Sequence, residues 1–397
     1  MTITPAMQQF YDLKEQVPDS LLFFRMWDFY ELFWEDAHIA HRVLGISVTT
    51  RNKNAENPVP LAWIPYHAKA KYLPQLINAG YKVAIAEQVS DPKLKWLVKR
   101  EIVRIVTPST LELEWEEYSN VDNSNILLSI TESNNWFGIS YLDINSNNWY
   151  TWEFKQFDDL KTQLYKISPK EVILDKSLFW NTEIKDVLEK KYWLNIYYYE
   201  NNKNTKQVLC NHFWVKNLIW FWIEDKQNSI DSAVLLLSYL SNNQKTDLKF
   251  LQKISYMSFD SFMNLDESTI YSLDLLYNLS TKSSTLWTLV WILNKTKTSA
   301  GNRLIREQII KPLQSVDEIN NRNSFVEEFY NNKMLLEAVR EQLSYVADID
   351  SILNRIALNR TNPRDLLNLK RSLQSVLEVF KLIDSKGTKK LKDIIKI

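Results

Sequence analysis

A chain of 397 residues with a 45% hydrophobic fraction is long enough to build two or three packed domains. Its 48 basic side chains balance its 48 acidic ones, so no global charge marks a nucleic-acid binder and only a local basic face could serve that end. The single cysteine, Cys210, excludes an internal disulfide framework and any multi-cysteine metal site.

Thr4 and Pro5 make an N-cap and a first helical position, Met7, Phe10, Tyr11 and Lys14 follow at helical spacing, and the helix stops before Pro18. The apolar run from Leu21 to Met26 ends at Trp27 and Asp28, after which Phe33, Ala37, Ala40 and Leu44 recur at spacings of four, three and four. That pattern predicts strand, turn and helix. Asp28 would cap the helix, Glu31 three residues on would close a capping box, and Gly45 would end it, so Phe29 and Glu31 are expected on the first helical turn. A strand over Ile46 to Thr50, a polar loop, the Pro60 to Pro65 segment, a helix from about His67 to Ala79 ended by Gly80, and strands over Lys82 to Glu87 and Ile102 to Thr107 complete a mixed α/β domain over residues 1–110.

Residues 111–124 are acidic and Asn-rich and read as a linker. Beyond it, ILLSIT, WFGISYLDI and WYTWEF predict three antiparallel strands joined by Asn-rich turns. Alternating runs follow, helix over Asp158 to Ile167, strand over Glu171 to Leu174, helix around Ile184 to Lys191 and strand over Leu194 to Tyr199, giving an α/β layer domain over 125–245. From Ser229 strand character nearly disappears, and helical stretches at Asp231 to Leu240, Leu265 to Leu279, Ser299 to Ile310, Val316 to Tyr330 and Leu366 to Ile383 predict an all-α region over 246–397.

The segment RMWDFYELF resembles the signature GDFYE-L-F of the N-terminal mismatch-recognition domain of the bacterial MutS mismatch-repair family. PLAWIPYHA, VAIAEQVSDP, VKREIVRIVTPST, LNKTKTSAGNRLIREQIIKPL and NPRDLLNLKRSLQ resemble further segments of that family, in the family's order and over nearly the whole chain. The resemblance implies a mismatch-recognition domain, a ribonuclease-H-like connector and part of a helical core and lever region. It implies mismatched double-stranded DNA as the partner, with Phe29 wedged beside the mispaired base and Glu31 bonded to it. It also implies a homodimer and a MutL-type partner docking on the connector. Arg51, Lys99, Arg100 and Arg104 are candidate contacts to the DNA backbone, with a plain solvated face as the alternative. No G-x-x-x-x-G-K-[ST] is found, even with every Trp read as Gly, so no ATPase chemistry is expected of this chain. ATP and Mg2+ would belong to a domain beyond it, and the chain reads as an N-terminal portion, as from a truncated gene or contig end. No metal-ligand spacing is present, because His38, His41 and His67 have no further ligands beside them. No signal peptide or bilayer-length apolar run is visible, so a cytoplasmic, nucleoid-associated protein is expected.

One departure from the family's pattern is chemical. The chain has 5 Gly and 15 Trp, whereas usage of about 7% would give roughly 28 glycines. Trp27, Trp63, Trp193 and Trp214 stand where the resemblance expects Gly, and Trp136 and Trp149 each follow Asn-Asn, where a turn glycine is natural. These six are expected to be glycine codons misread as tryptophan, from a lineage that decodes UGA as glycine. Pattern alone would make Phe29 a core residue and Glu31 a capping carboxylate. Two other classes stay open: a ribonuclease-H-like metal-dependent nuclease using Asp143, Glu171 and Asp175, and a protein-docking scaffold without DNA binding.

Overall fold

The computed structural model describes residues 4–51, 58–90, 98–111, 125–192, 194–200, 204–246, 248–257, 262–278 and 285–394. Helix α1 (Pro5–Glu15) is capped by Thr4, whose hydroxyl accepts from the Met7 N–H at 3.4 Å. Strands β1 (Ser20–Met26) and β2 (Phe29–Phe33) form a hairpin, followed by α2 (Glu35–Leu44), β3 (Thr49–Arg51), β4 (Val59–Pro65), α3 (Lys69–Asn78), β5 (Lys82–Gln88) and β6 (Arg100–Val106). They assemble one six-stranded sheet in the order β3-β4-β2-β1-β5-β6, with β1 and β5 the parallel pair. Alternation along β1 sends Leu21 and Phe23 under α2 and α3, and Leu22 and Phe24 under α1.

The first hairpin corrects the sequence expectation of a helix at Phe29. Met26 pairs with Phe29 and Phe24 with Glu31, so both candidate residues lie on a strand and Asp28 caps nothing. Trp27 takes φ +54° and Asp28 has no positive φ, the pattern of a type II′ turn, whose first central position is normally glycine. The helical spacing that begins at Phe33 belongs to α2, in which Ala37 and Ala40 are buried.

A second sheet has the order β11-β10-β7-β8-β9-β12. It is built from β7 (Ile126–Ser133), β8 (Trp136–Asp143), β9 (Asn148–Phe154), β10 (Glu171–Leu174), β11 (Asn195–Tyr198) and the short β12 (Ser255–Tyr256). Helices α4 (Phe157–Ile167), α5 (Lys176–Phe179) and α6 (Thr182–Asp186) bury one face, while α7 (Thr205–Phe213) and α8 (Gln227–Gln244) bury the other. Gly138 on β8 is required by that packing, because a Cβ there would stand 2.0 Å from the Asn228 carbonyl oxygen of α8.

Eight helices follow among the described residues: α9 (Glu267–Ser272), α10 (Leu289–Leu293), α11 (Ser299–Ile310), α12 (Val316–Asn331), α13 (Lys333–Leu343), α14 (Ile349–Ala357), α15 (Pro363–Lys386) and α16 (Lys389–Ile394). The helix expected over Leu265 to Leu279 is only α9, started by Asp266, which accepts from the Thr269 N–H at 2.8 Å. Asn362 and Asp365 close a capping box at the head of α15, and Arg355 grips the buried Asp365 with two donors at 2.6 and 3.1 Å.

Twelve of the 15 tryptophans fall among the described residues, and five of them adopt positive φ: Trp27, Trp34, Trp214, Trp222 and Trp287. Trp214 and Trp222 occupy the left-handed C-cap positions after α7 and after the short turn Ile219–Phe221, the place where glycine ends helices. Trp34 combines φ +49° with ψ −125°, a region that a Cβ disfavours strongly. Trp136 and Trp149 differ from the turn positions expected of them. Each is a strand residue without positive φ, since Asn134, Asn135 and Asn147 supply the left-handed turns. Trp149 is 2% exposed, and its indole N–H donates to Ser140 Oγ at 2.7 Å. Trp193 lies outside the described residues.

Candidate nucleic-acid interface

Side chains alternate along β2, so Phe29 and Glu31 share one face while Tyr30 and Leu32 enter the core beneath α2 and α3. Phe33, on the Phe29 face, is covered by α1 with Leu22 and Phe24. The hairpin end of that face stays open: Phe29 is 37% exposed, and the Trp63 indole beside it 48%. The two rings meet edge to face with centroids 4.8 Å apart. Glu31 pairs across to Trp63 on β4 and to Phe24 on β1.

Of the basic candidates, Lys99 is exposed, with Glu101 2.6 Å from its ammonium; a surface pair of this kind holds the lysine weakly. Arg100 is buried, which corrects its expected phosphate role. Its Nε donates to the Arg25 carbonyl at 2.6 Å and its Nη1 to the Val98 carbonyl at 2.9 Å, while the guanidinium lies 4.9 Å from the Phe24 ring centroid. Burial lowers its pKa and the nearby charge of Glu31 raises it again in part, so Arg100 supplies Glu31 with a fixed positive neighbour. Arg104 is half-buried and donates to the Thr110 carbonyl, a structural bond at the end of β6. The backbone of Arg51 ends β3, and its side chain lies outside the described residues.

Three residues that the motifs contain but that sequence reasoning passed over sit behind this face. Arg25 on β1, Tyr66 after β4 and Glu87 on β5 converge, with the Arg25 guanidinium 3.9 Å from the Tyr66 ring centroid and 3.4 Å from Glu87. Glu87 also accepts from the Tyr30 hydroxyl. Their signal in the sequence was position: each lies within one of the segments RMWDFYELF, PLAWIPYHA and VAIAEQ.

The nuclease candidates are not brought together. Glu171 opposes Leu127, which opposes Leu142, so Glu171 shares their face and Asp143 takes the other. Asp175 follows β10 at its far end, about 13 Å along the strand from Glu171, too far for a two-metal site whose ions lie about 4 Å apart. Asp143 and Asp175 are also engaged locally, since Asp143 accepts from the Asn145 N–H and the Ser146 hydroxyl at 3.0 and 2.7 Å, and Asp175 caps α5. Among the described residues no group of three or more His, Cys, Asp or Glu could hold a metal ion.

Glu171 ties the two sheets together. It is fully buried, and its Oε1 accepts from Thr107 and Ser109, just after β6, at 3.0 and 2.5 Å. Burial pushes its pKa up to about 7 from an ordinary 4.5, against the opposing pull of the Ser109 and Thr107 hydroxyls and the Lys82 charge. The folded chain therefore keeps this proton to higher pH than the unfolded chain, and stability falls as pH rises from about 4.5 to about 7. Glu171→Gln, which removes the ionisation, should be more stable than the parent at pH 8 by roughly 3 kcal/mol and indistinguishable from it near pH 4.5. Denaturant titrations at the two pH values check both the sign and the size.

Known proteins resemble this chain over nearly its whole length. The chain matches MutS domain I over residues 4–114, MutS domain II over 125–254 and MutS domain III over 268–396. It is 35% identical over 99% of its length to the DNA mismatch repair protein MutS of Lachnoclostridium phytofermentans, covering 42% of that protein. Against the proteins of the same name from Halothermothrix orenii and Methanococcoides burtonii the identity is 36%, over 99% and 95% of this chain and 44% and 43% of theirs. The chain thus spans about two fifths of the length of these curated relatives. Among the described residues no helix is long and apolar enough to cross a membrane.

Proposed function

Since the chain belongs to the MutS family, we propose that it recognises mispaired duplex DNA through the β1–β2 hairpin, with Phe29 as the wedge and Glu31 as the probe. The observation that carries this reading is a single open sheet face bearing an exposed ring and, two residues along, a carboxylate. Driving a ring between base steps unstacks them at a cost of a few kcal/mol per step. A mispaired step is already weakly stacked and easily kinked, so the same deformation costs less there. Recognition of this kind needs no base sequence. In this reading Trp63 stands in for the family's glycine, and glycine at 63 would leave Phe29 without its edge-on neighbour.

Glu31 acts by difference. A carboxylate near a polyanion repels unless a displaced base donates an N–H to it, and a correctly paired base offers none. Glu31→Ala should therefore tighten matched-duplex binding about five- to tenfold while changing mismatch binding little. Competition between a G·T oligonucleotide and its matched counterpart for this chain tests the proposal; equal loss for both duplexes would remove Glu31 from the recognition step. Lys99 is retained as a phosphate contact on its exposure, and Arg51 on its place at the end of β3.

The strand order β9-β8-β7-β10-β11, three antiparallel strands followed by two parallel ones, supports a ribonuclease-H-like connector. In this reading it is a docking domain for a MutL-type partner, and the domains divide as 1–110, 125–245 and 246–397.

A further inference from the structure

We infer that Arg25 is a positioning residue that sets the angle at which the hairpin presents Phe29, an inference that rests on the mismatch-binding reading above. Arg25 pairs with Tyr30, so its side chain lies on the face opposite Phe29 and Glu31, behind the reading surface. From there it touches four segments. Its Nε donates to the carbonyl of Trp27 in the turn, its Nη1 reaches Glu87 on β5 at 3.4 Å, and the guanidinium lies 3.9 Å from the centroid of Tyr66 and 5.5 Å from that of Tyr30. Glu87 holds the Tyr30 hydroxyl as well, and the Tyr66 N–H donates to the Asp28 carbonyl at 2.9 Å. The Arg25 carbonyl is itself held by Arg100 at 2.6 Å. Both carbonyls of the two-residue turn are therefore fixed, one by Arg25 and the other by the backbone of the residue on which Arg25 stacks.

Arginine suits this place because its planar fork gives one edge to a carbonyl, another to a carboxylate, and its face to a ring at the same time. A lysine ammonium has the charge without the plane. A wedge discriminates only if its approach is fixed before DNA arrives. Arg25 also links the three motif segments RMWDFYELF, PLAWIPYHA and VAIAEQ into one device.

The test is Arg25→Lys in this chain, read by binding and by amide exchange. Affinity for a G·T duplex should fall about tenfold, matched-duplex affinity should stay within about twofold, and the salt dependence of both should be unchanged. Exchange of the Tyr66 amide, which reports the bond to Asp28, should accelerate about tenfold or more while amides of the second sheet keep their rates. Equal loss for both duplexes would overturn the inference, as would unchanged binding and exchange. Should Arg25→Lys not fold, Glu87→Gln removes the charge of the partner while keeping an acceptor for Tyr30, and must give the same selective loss in smaller measure. A parent chain that does not prefer the mismatch would sink the mismatch-binding reading, whereas the exchange result would still decide whether Arg25 holds the turn.

Discussion

Replacing Phe29 with alanine is expected to abolish the preference of this chain for mispaired over matched duplex. Stacking of one base on an aromatic side chain is worth about 1–3 kcal/mol, so mismatch affinity should fall roughly 5- to 150-fold. Matched affinity should hardly move, because a well-stacked step resists the wedge and Phe29 contributes little there. Phe29→Tyr keeps the ring and should retain most of the preference; Phe29→Leu keeps apolar bulk without a π face and should retain less. Fluorescence anisotropy competition with a G·T oligonucleotide and its matched counterpart reads all three variants. The exposure that lets the ring act also makes the substitution structurally mild: Phe29 is at the open end of its face, outside both packed clusters of the first sheet. Thermal stability should therefore change by less than about 1 kcal/mol, which separates a recognition residue from a core one.

How much of this was legible beforehand depended on the physics of each element. Elements closed by local chemistry could be read: the Thr4 cap, the three antiparallel strands of the second sheet with their Asn-rich turns, and α11, whose Ser299–Ile310 span follows a Thr298 cap. The Phe29 hairpin could not be read as a hairpin, because the first central position of its turn, where a glycine would be the unambiguous signal, holds Trp27. Without that glycine, Asp28 and Glu31 three residues apart imitate a capping box, and a strand of five residues is too short for its alternation to outvote that imitation. Arg100 misled for another reason. A charge run on a strand does not reveal which side chain turns inward, and here it is the one whose neighbours include Phe24 and the Arg25 carbonyl. The separation of Asp143 from Glu171 needs the strand register, which links residues far apart in sequence and is invisible until the sheet is assembled.

The tryptophans give the second large prediction, and its sign depends on conformation. A side chain held in the left-handed region costs roughly 1–2 kcal/mol per residue, and glycine escapes that cost. Trp27, Trp214, Trp222 and Trp287 are 68%, 83%, 82% and 70% exposed, so their indoles bury little area to set against the strain. Each of these four changes to glycine should stabilise its own part of the fold by about 1–2 kcal/mol, and Trp214 and Trp222, whose neighbours Phe213 and Phe221 are in ring contact at 4.5 Å, are the pair close enough to couple. Trp34 is the harder case. Its ring packs on Phe10, Tyr11 and Phe33 at centroid distances of 5.4, 5.0 and 5.7 Å, so relief of its backbone is offset by lost packing and the net change should be near zero. Trp149→Gly should go the other way, losing about 3–5 kcal/mol, because a buried and hydrogen-bonded indole leaves a cavity and an unpaired Ser140 hydroxyl. Denaturant unfolding of the single variants distinguishes the two groups. Should the four exposed positions gain nothing from glycine, the idea that misread codons explain the excess of tryptophan loses its physical support; UGA at those codons in the nucleotide sequence, with a gain in stability, would make glycine the residue around which these turns evolved.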